Sequence, residues 1–211
     1  MAGDPLNSNR PLRVIIIGAG ASGLLMGYKL QRNFDDLSFQ IYEKNPDVGG
    51  TWYENRYPGC ACDNPSHTYV WSFDPNPTWS STYAPSTEIY DYFKGFQFRS
   101  NLGEKTKVSH EVIGAKWNDR AGKWNVEIQD LVNGVVLNDS CDVLVNAGGI
   151  LNAWKWPAIP GLHDFKGKLV HSAAWDQNLD LTGKHVGLIG NGYVQLSFAC
   201  LIGRWKRKTT N

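Results

Sequence analysis

The residues with the plainest chemical meaning are Gly18-Ala19-Gly20-Ala21-Ser22-Gly23, a G-x-G-x-x-G run. The first glycine permits a tight turn, the second lets backbone approach a pyrophosphate, and the third lets a helix pack closely on a strand. A helix opening at Ala21 and Ser22 presents free N–H groups and the positive end of its dipole to phosphate oxygens. Glu43 stands twenty residues after Gly23. A carboxylate there accepts hydrogen bonds from both ribose hydroxyls and repels a 2′-phosphate. Together these residues describe a dinucleotide site for FAD or NAD rather than NADP.

Such a site needs a strand before the glycines, a helix behind them and a second strand ending at the acid. Residues 13–17 are a short apolar run that stops at glycine, the pattern of a strand buried on both faces of a parallel sheet. Residues 21–33 carry Leu24, Leu25, Tyr28 and Leu30 at near-helical spacing, and residues 38–42 read as the second strand. This is one βαβ unit. Residues 45–87, rich in Pro, Gly, Asn and aromatics, read mostly as loop, and a long structured loop in a compact domain is usually functional. Ser86-Thr87-Glu88 opens a short helix carrying Ile89, Tyr92 and Phe93. From Lys107 the pattern becomes alternation. Residues 108–117, 124–128 and 135–137 are expected as antiparallel strands, with the first turn at 118–122. Residues 141–145 return to the parallel sheet, 150–183 read as a connector, and 184–189 as another buried strand.

Three further groups are candidates, each with a plainer reading beside it. Val48-Gly49-Gly50-Thr51-Trp52 would let the chain pass close to a bulky cofactor, or is an ordinary tight turn. Asp63, closing Arg56-Tyr57-Pro58-Gly59-Cys60-Ala61-Cys62-Asp63, reads locally as a turn carboxylate. His171 lies in the connector, where nothing nearby builds a catalytic pair or a metal site. On those grounds it is a structural residue.

Composition narrows the classes. Of 211 residues 42% are hydrophobic, enough for a core, and a net charge of +1 gives no bulk attraction to nucleic acid or an anionic membrane. No apolar signal core follows the N-terminus, and the apolar run at 14–17 is too short to span a bilayer. Cys60, Cys62, Cys141 and Cys200 have no zinc-type spacing and read as reduced thiols, so the expected location is cytoplasmic and no metal is expected.

Several of these motifs together resemble a known family. The glycine pair after Glu43 resembles the extended fingerprint of two-dinucleotide flavoproteins, in which it lies along FAD. Val145-Asn146-Ala147-Gly148-Gly149 resembles their second FAD contact, and the antiparallel strands resemble their β-meander. Phe165, Gly167, His171, Trp175 and Asp176 fit every position of F-x-G-x-x-x-H-x-x-x-W followed by Pro or Asp, the fingerprint of Baeyer–Villiger-type flavin monooxygenases. The resemblance runs from about Arg13 to Gly192.

It implies an α/β fold: a Rossmann-like parallel-sheet FAD domain with a β-meander, then the start of a second Rossmann-like NADP-binding unit. The implied boundaries are a loose arm at 1–12, an FAD domain at 13–152, a connector at 153–183, a truncated NADP-binding unit at 184–203 and a divergent basic tail at 204–211. FAD is implied at Gly18, Gly20, Ala21, Ser22, Gly23, Glu43, Lys44, Gly50, Thr51, Trp52, Asp63, Tyr69 and Ala147, and NADP at Gly190 and Gly192. The catalytic residues implied are Asp63, beside the flavin and facing an arginine of the NADPH domain, and His171, as a conformational element. The implied reaction uses NADPH, FAD and O2 to insert oxygen beside a ketone carbonyl through a C4a-peroxyflavin. After Gly190-Asn191-Gly192, Tyr193-Val194-Gln195 follows at once, as though two residues were missing. A chain that needs a missing C-terminal portion, an FAD-binding module without turnover, and a gene-model fragment all remain expectations.

Overall fold

The structure is a computed structural model that describes residues 11–190 and 192. In chain order the elements are β1 (Leu12–Ile17), α1 (Ala21–Asn33), β2 (Leu37–Tyr42), α2 (Thr51–Glu54), α3 (Ser86–Arg99), β3 (Thr106–Lys107), β4 (His110–Asn118), β5 (Lys123–Asp130), β6 (Val136–Cys141) and β7 (Val143–Asn146). Single 3-10 turns occur at Ser66–Thr68, Leu162–Asp164 and Ser172–Ala174. The chain falls into two compact units, Met1–Gly50 with Phe93–Ile150, and Thr51–Tyr92 with Leu151–Asn211.

In the first unit the parallel sheet has the order β3-β2-β1-β7. β1 pairs β2 from Leu12↔Leu37 to Ile17↔Tyr42, and pairs β7 from Val14↔Val143 to Ile17↔Asn146. Side chains alternate across a strand, and the apolar run of β1 feeds both faces. On one face α1 lies close to the sheet. A Cβ on its Gly27 would stand 3.0 Å from Ile41 Cδ1 and 3.3 Å from Phe39 Cε2. On the other face Ile15 and Tyr42 join Val126, Ile128 and Cys141 of the antiparallel sheet β4-β5-β6 in one buried cluster. Asp139 ties the two sheets together: it accepts from Arg13 Nε at 3.2 Å and from the Tyr42 hydroxyl at 2.8 Å.

The expected βαβ unit, meander and first turn are all present, the turn closing through Gly122 N–H to Asn118 O at 2.9 Å. The elements differ from expectation in four main respects. The helix from Ser86 is 14 residues long rather than short, its Ile89, Tyr92, Phe93 and Phe96 all buried. The two-residue β3, parallel to β2, was not expected. Val108 and Ser109 precede β4, and Ser109 adopts φ +55° as the chain turns into the meander. Cys141 ends the meander, pairing with Trp124, and the parallel strand begins only at Val143.

The second unit is mostly loop, as expected for 45–87. It is held by backbone bonds, Cys62 N–H to Ala84 O at 3.0 Å and Ser86 N–H to Cys60 O at 2.9 Å. The buried Ser66 hydroxyl bridges Thr82 O and Ala84 N–H at 3.0 and 2.7 Å. Trp71 and Trp79 pack on Tyr92 with ring centres 5.7 Å apart in each case.

The strand expected at 184–189 is not formed. The segment has no regular structure, and Val186, Leu188 and Ile189 are 37–62% exposed. An apolar parallel strand requires neighbours that supply hydrogen bonds and cover both faces. Among the described residues it has neither. Among them also, no helix is long and apolar enough to cross a membrane.

Candidate dinucleotide-binding site

In the first unit β1 ends at Ile17 and the chain turns at Gly18, with φ +96°. A Cβ on Gly18 would stand 2.7 Å from Ala147 O, so the C-terminal ends of β1 and β7 touch through backbone. Ala147 N–H completes the contact with Ile17 O at 2.9 Å. Gly23 is tighter still, since a Cβ there would lie 1.9 Å from Gly18 O. The third glycine of the motif therefore seats α1 against the turn made by the first.

Gly20 does something different. Its nearest neighbour is Gly50 Cα, 3.5 Å from where its Cβ would be. Gly50 takes φ +53°, and Gly49 N–H binds Ala19 O at 3.0 Å. The fold thus brings the two glycine motifs into backbone contact at the start of α1. Leu24 N–H bonds Gly20 O at 3.0 Å. Among the described residues no acceptor takes the N–H groups of Ala21, Ser22 or Gly23. They are the orphan donors of a helix start, and Ala21 and Ser22 are exposed.

Glu43 ends this cradle, only 4% exposed. Its Oε2 accepts the Ala19 N–H at 2.7 Å. Its Oε1 accepts the Asn45 N–H at 2.9 Å and the Asn45 side-chain amide at 2.8 Å. Burial of the carboxylate is thus met by three donors. Asn45 is held in turn by Ser109, whose N–H reaches Asn45 O at 2.8 Å. Asp47 caps Val48 N–H at 2.8 Å and pairs with Lys94 of α3. Lys44 is half-buried next to the acid in sequence. Asn45, Asp47 and Lys94 were not singled out from the sequence. Their roles lie in contacts that span 1 to 47 positions and that no motif marks.

A family profile described as an NAD(P)-binding Rossmann-like domain matches residues 16–85. The chain is 45% identical over 193 residues to the FAD-binding monooxygenase tazF of Aspergillus terreus, covering 90% of this chain and 34% of that protein. It is 38% identical over 189 residues to a Baeyer-Villiger monooxygenase of Pseudomonas aeruginosa, covering 90% and 35%. The chain is homologous to Baeyer–Villiger-type flavin monooxygenases. A crystal structure of cyclohexanone monooxygenase with bound ε-caprolactone superposes with a TM-score of 0.79 at 35% identity, over 90% of this chain and 37% of that one. The OTEMO complex with FAD and NADP gives 0.80 at 28% identity, over 93% and 38%. The chain spans about one third of the length of the curated relatives it matches.

The remaining candidate residues named from the sequence lie in the second unit. Thr51 and Trp52 open α2. The Trp52 indole N–H donates to the Tyr69 hydroxyl at 3.0 Å, with the rings edge-on at 5.4 Å. Burial pushes the Tyr69 phenol above its ordinary range, and the bond from Trp52 works against that shift. Asp63 is exposed, and its carboxylate accepts a long bond from the Asn64 amide at 3.4 Å. His171 Nδ1 accepts the Ala173 N–H at 3.1 Å, capping the 3-10 turn Ser172–Ala174. Its ring stacks on Trp154 at 4.4 Å and meets Trp156 edge-on at 5.6 Å. Gly190 takes φ +124° and Gly192 is exposed, with no strand ahead of them. Asn191 and residues 193–211, including the rest of the expected second unit and the basic tail, lie outside the described residues, as do 1–10 of the expected arm. Among the described residues no group of three or more His, Cys, Asp or Glu is placed to hold a metal.

Proposed function

We propose that the chain is the FAD-binding part, with the opening of the NADP-binding part, of a cytoplasmic monooxygenase acting on a small-molecule ketone. One observation carries the cofactor assignment. Gly20 and Gly50 meet backbone to backbone beside three orphan helix N–H groups, with a buried carboxylate twenty residues on. Bare backbone, unpaired donors and an acid are what a pyrophosphate with its ribose requires, so these residues fit FAD. The names of the homologues favour FAD over NAD in this site.

In this reading Gly18, Gly20, Ala21, Ser22 and Gly23 receive the pyrophosphate, Glu43 and Lys44 lie at the ribose, and Gly50, Thr51, Trp52 and Ala147 follow the cofactor. Asp63 and Tyr69 belong to its flavin side, and His171 is a conformational element whose Nδ1 is already committed to Ala173. FAD supplies the oxygen-activating chemistry by which one O2 oxygen is placed beside the carbonyl, with NADPH as reductant. The protein binds, orients and keeps water out. The segments follow the order 1–12 arm, 13–152 FAD domain, 153–183 connector, 184–203 NADP-binding start and 204–211 tail. NADP is assigned to Gly190 and Gly192 in this reading, and Asn191 and the residues after Gly192 that would complete such a site lie outside the described residues.

The test is the visible absorption spectrum of the purified chain after incubation with FAD and desalting. A retained flavin spectrum is expected. A folded, soluble chain that releases all flavin would refute the assignment. Flavin retained without NADPH oxidation would identify a binding module lacking turnover.

A further inference from the structure

The contacts of Glu43 assign a function to a residue that neither glycine motif contains. An ionised carboxylate offers about four acceptor positions and no donor. Three are filled here. Both on Oε1 go to Asn45, through its backbone N–H at 2.9 Å and its side-chain amide at 2.8 Å. One on Oε2 goes to Ala19 N–H at 2.7 Å. The open position is on Oε2. We propose that Asn45 is a positioning residue: its amide saturates Oε1, fixes the carboxylate rotamer, and directs the open side of Oε2 to a hydroxyl of the cofactor ribose. This rests on the reading that Glu43 receives that ribose.

The surroundings of Asn45 support the assignment. Ser109, held at φ +55°, gives its N–H to Asn45 O at 2.8 Å. His110 N–H donates to Glu43 O at 2.8 Å, and Glu43 N–H donates to Lys107 O at 2.9 Å. The backbone on each side of the acid is thereby pinned to the entry of the meander. The Asn45 side chain is then the side-chain restraint on where the carboxylate points, beside the N–H groups of Ala19 and Asn45. Losing it vacates one of the two filled acceptor positions on Oε1, which a hydroxyl can then take in a second geometry.

The test uses the full chain with two probes, FAD and the FAD analogue whose adenosine ribose is 2′,3′-dideoxy. Affinity is read by flavin fluorescence for wild type, Asn45→Ala, Glu43→Gln and the double variant. Thermal melting without ligand monitors folding. For wild type the preference for FAD over the analogue should be about tenfold or more, the scale of one hydrogen bond to a charged acceptor. Asn45→Ala should lose most of that preference while binding the analogue within about threefold of wild type, and should change nothing further in the Glu43→Gln background. Equal loss of affinity for both probes would make Asn45 a merely structural residue and overturn the proposal. An undiminished preference in Asn45→Ala would overturn it too. If Glu43→Gln itself leaves the preference intact, the ribose reading fails, independently of Asn45. Should Asn45→Ala not fold, Asn45→Ser supplies the same comparison, because its shorter hydroxyl cannot span to Oε1 as the amide does.

Discussion

Two glycines three positions apart should respond in opposite ways to the same methyl group. At residue 23 an added Cβ would lie 1.9 Å from Gly18 O and 3.0 Å from Gly18 C, both backbone atoms. Neither can yield easily. Gly18 N–H is bonded to Tyr42 O at 2.7 Å, and the far side of Gly18 already rests on Ala147 O. Relief needs roughly 1.5 Å of added separation between α1 and the turn, beyond the small shifts that overpacked sites absorb for about 1–3 kcal/mol. The helix-propensity gain from Gly to Ala, about 1 kcal/mol, does not offset this. Gly23→Ala should therefore destabilise by at least about 2 kcal/mol, a fall of roughly 4–8 °C in Tm for a chain of this size. At residue 20 the Cβ would meet Gly50 Cα at 3.5 Å, ordinary contact, and φ is −78°, which alanine adopts freely. Gly20→Ala should melt within about 0.5 kcal/mol of wild type yet lose FAD, since the methyl enters the space a phosphate would use. The assays are far-UV circular dichroism melts and flavin retention after desalting. Equal melting of the two variants, or full flavin retention by Gly20→Ala, would refute the division of labour between these glycines.

Other outcomes follow from single contacts. Burial alone would raise the Asp139 carboxyl pKa, but the bonds from Arg13 and Tyr42 outweigh it and hold it below the ordinary carboxylate value. The folded pKa thus lies below the unfolded one. The resulting stability is present above about pH 4 and is lost as pH falls through the lower folded value. Denaturant midpoints measured across that acid range should fall for wild type, and Tyr42→Phe should shrink the fall. His171→Phe keeps the stack on Trp154 but removes the acceptor at 3.1 Å from Ala173 N–H. Hydrogen exchange should speed at Ala173 while the aromatic circular dichroism band persists. Glu43→Arg should lose FAD and melt early as well, because it abandons three donors at a site 4% exposed. Glu43→Gln is therefore the cleaner probe, and a Glu43→Arg chain that melts like wild type would contradict the burial argument.

The frame of the site was readable because its determinants are local. An apolar run ending in glycine, helical spacing after it and an acid after the next strand each concern a few adjacent residues. Helix, turn and β-meander followed in the same way from periodicity and turn chemistry. What sequence did not disclose depends on contacts that no motif marks, some between neighbours such as Glu43 and Asn45 and some between distant positions such as Asn45 and Ser109. No sequence signature marks Asn45, two positions on, as the partner of Glu43, or Ser109 as the anchor of Asn45. The double duty of the glycines was half visible: the motif predicts close approach, but only the fold shows that Gly20 approaches Gly50 while Gly23 approaches Gly18.

The misread segment at 184–189 makes the same point from the other side. Like β1 it carries apolar residues, Val186, Leu188 and Ile189, that lead into glycine, although Gly187 interrupts them. Yet β1 lies between β2 and β7 and buries Val14, Ile15 and Ile16 to 3% exposure or less, whereas Val186, Leu188 and Ile189 stay 37–62% exposed. The pattern therefore reports a capacity to be buried on two faces, and the strand exists only where neighbours supply both hydrogen bonds and cover. On this argument, adding chain that provides a partner strand and a covering helix should convert 184–189 to a strand. Amide exchange at Val186 and Leu188 would then slow toward the rate of β1. Exchange that stays fast beside an ordered partner would show that the apolar pattern serves some purpose other than pairing.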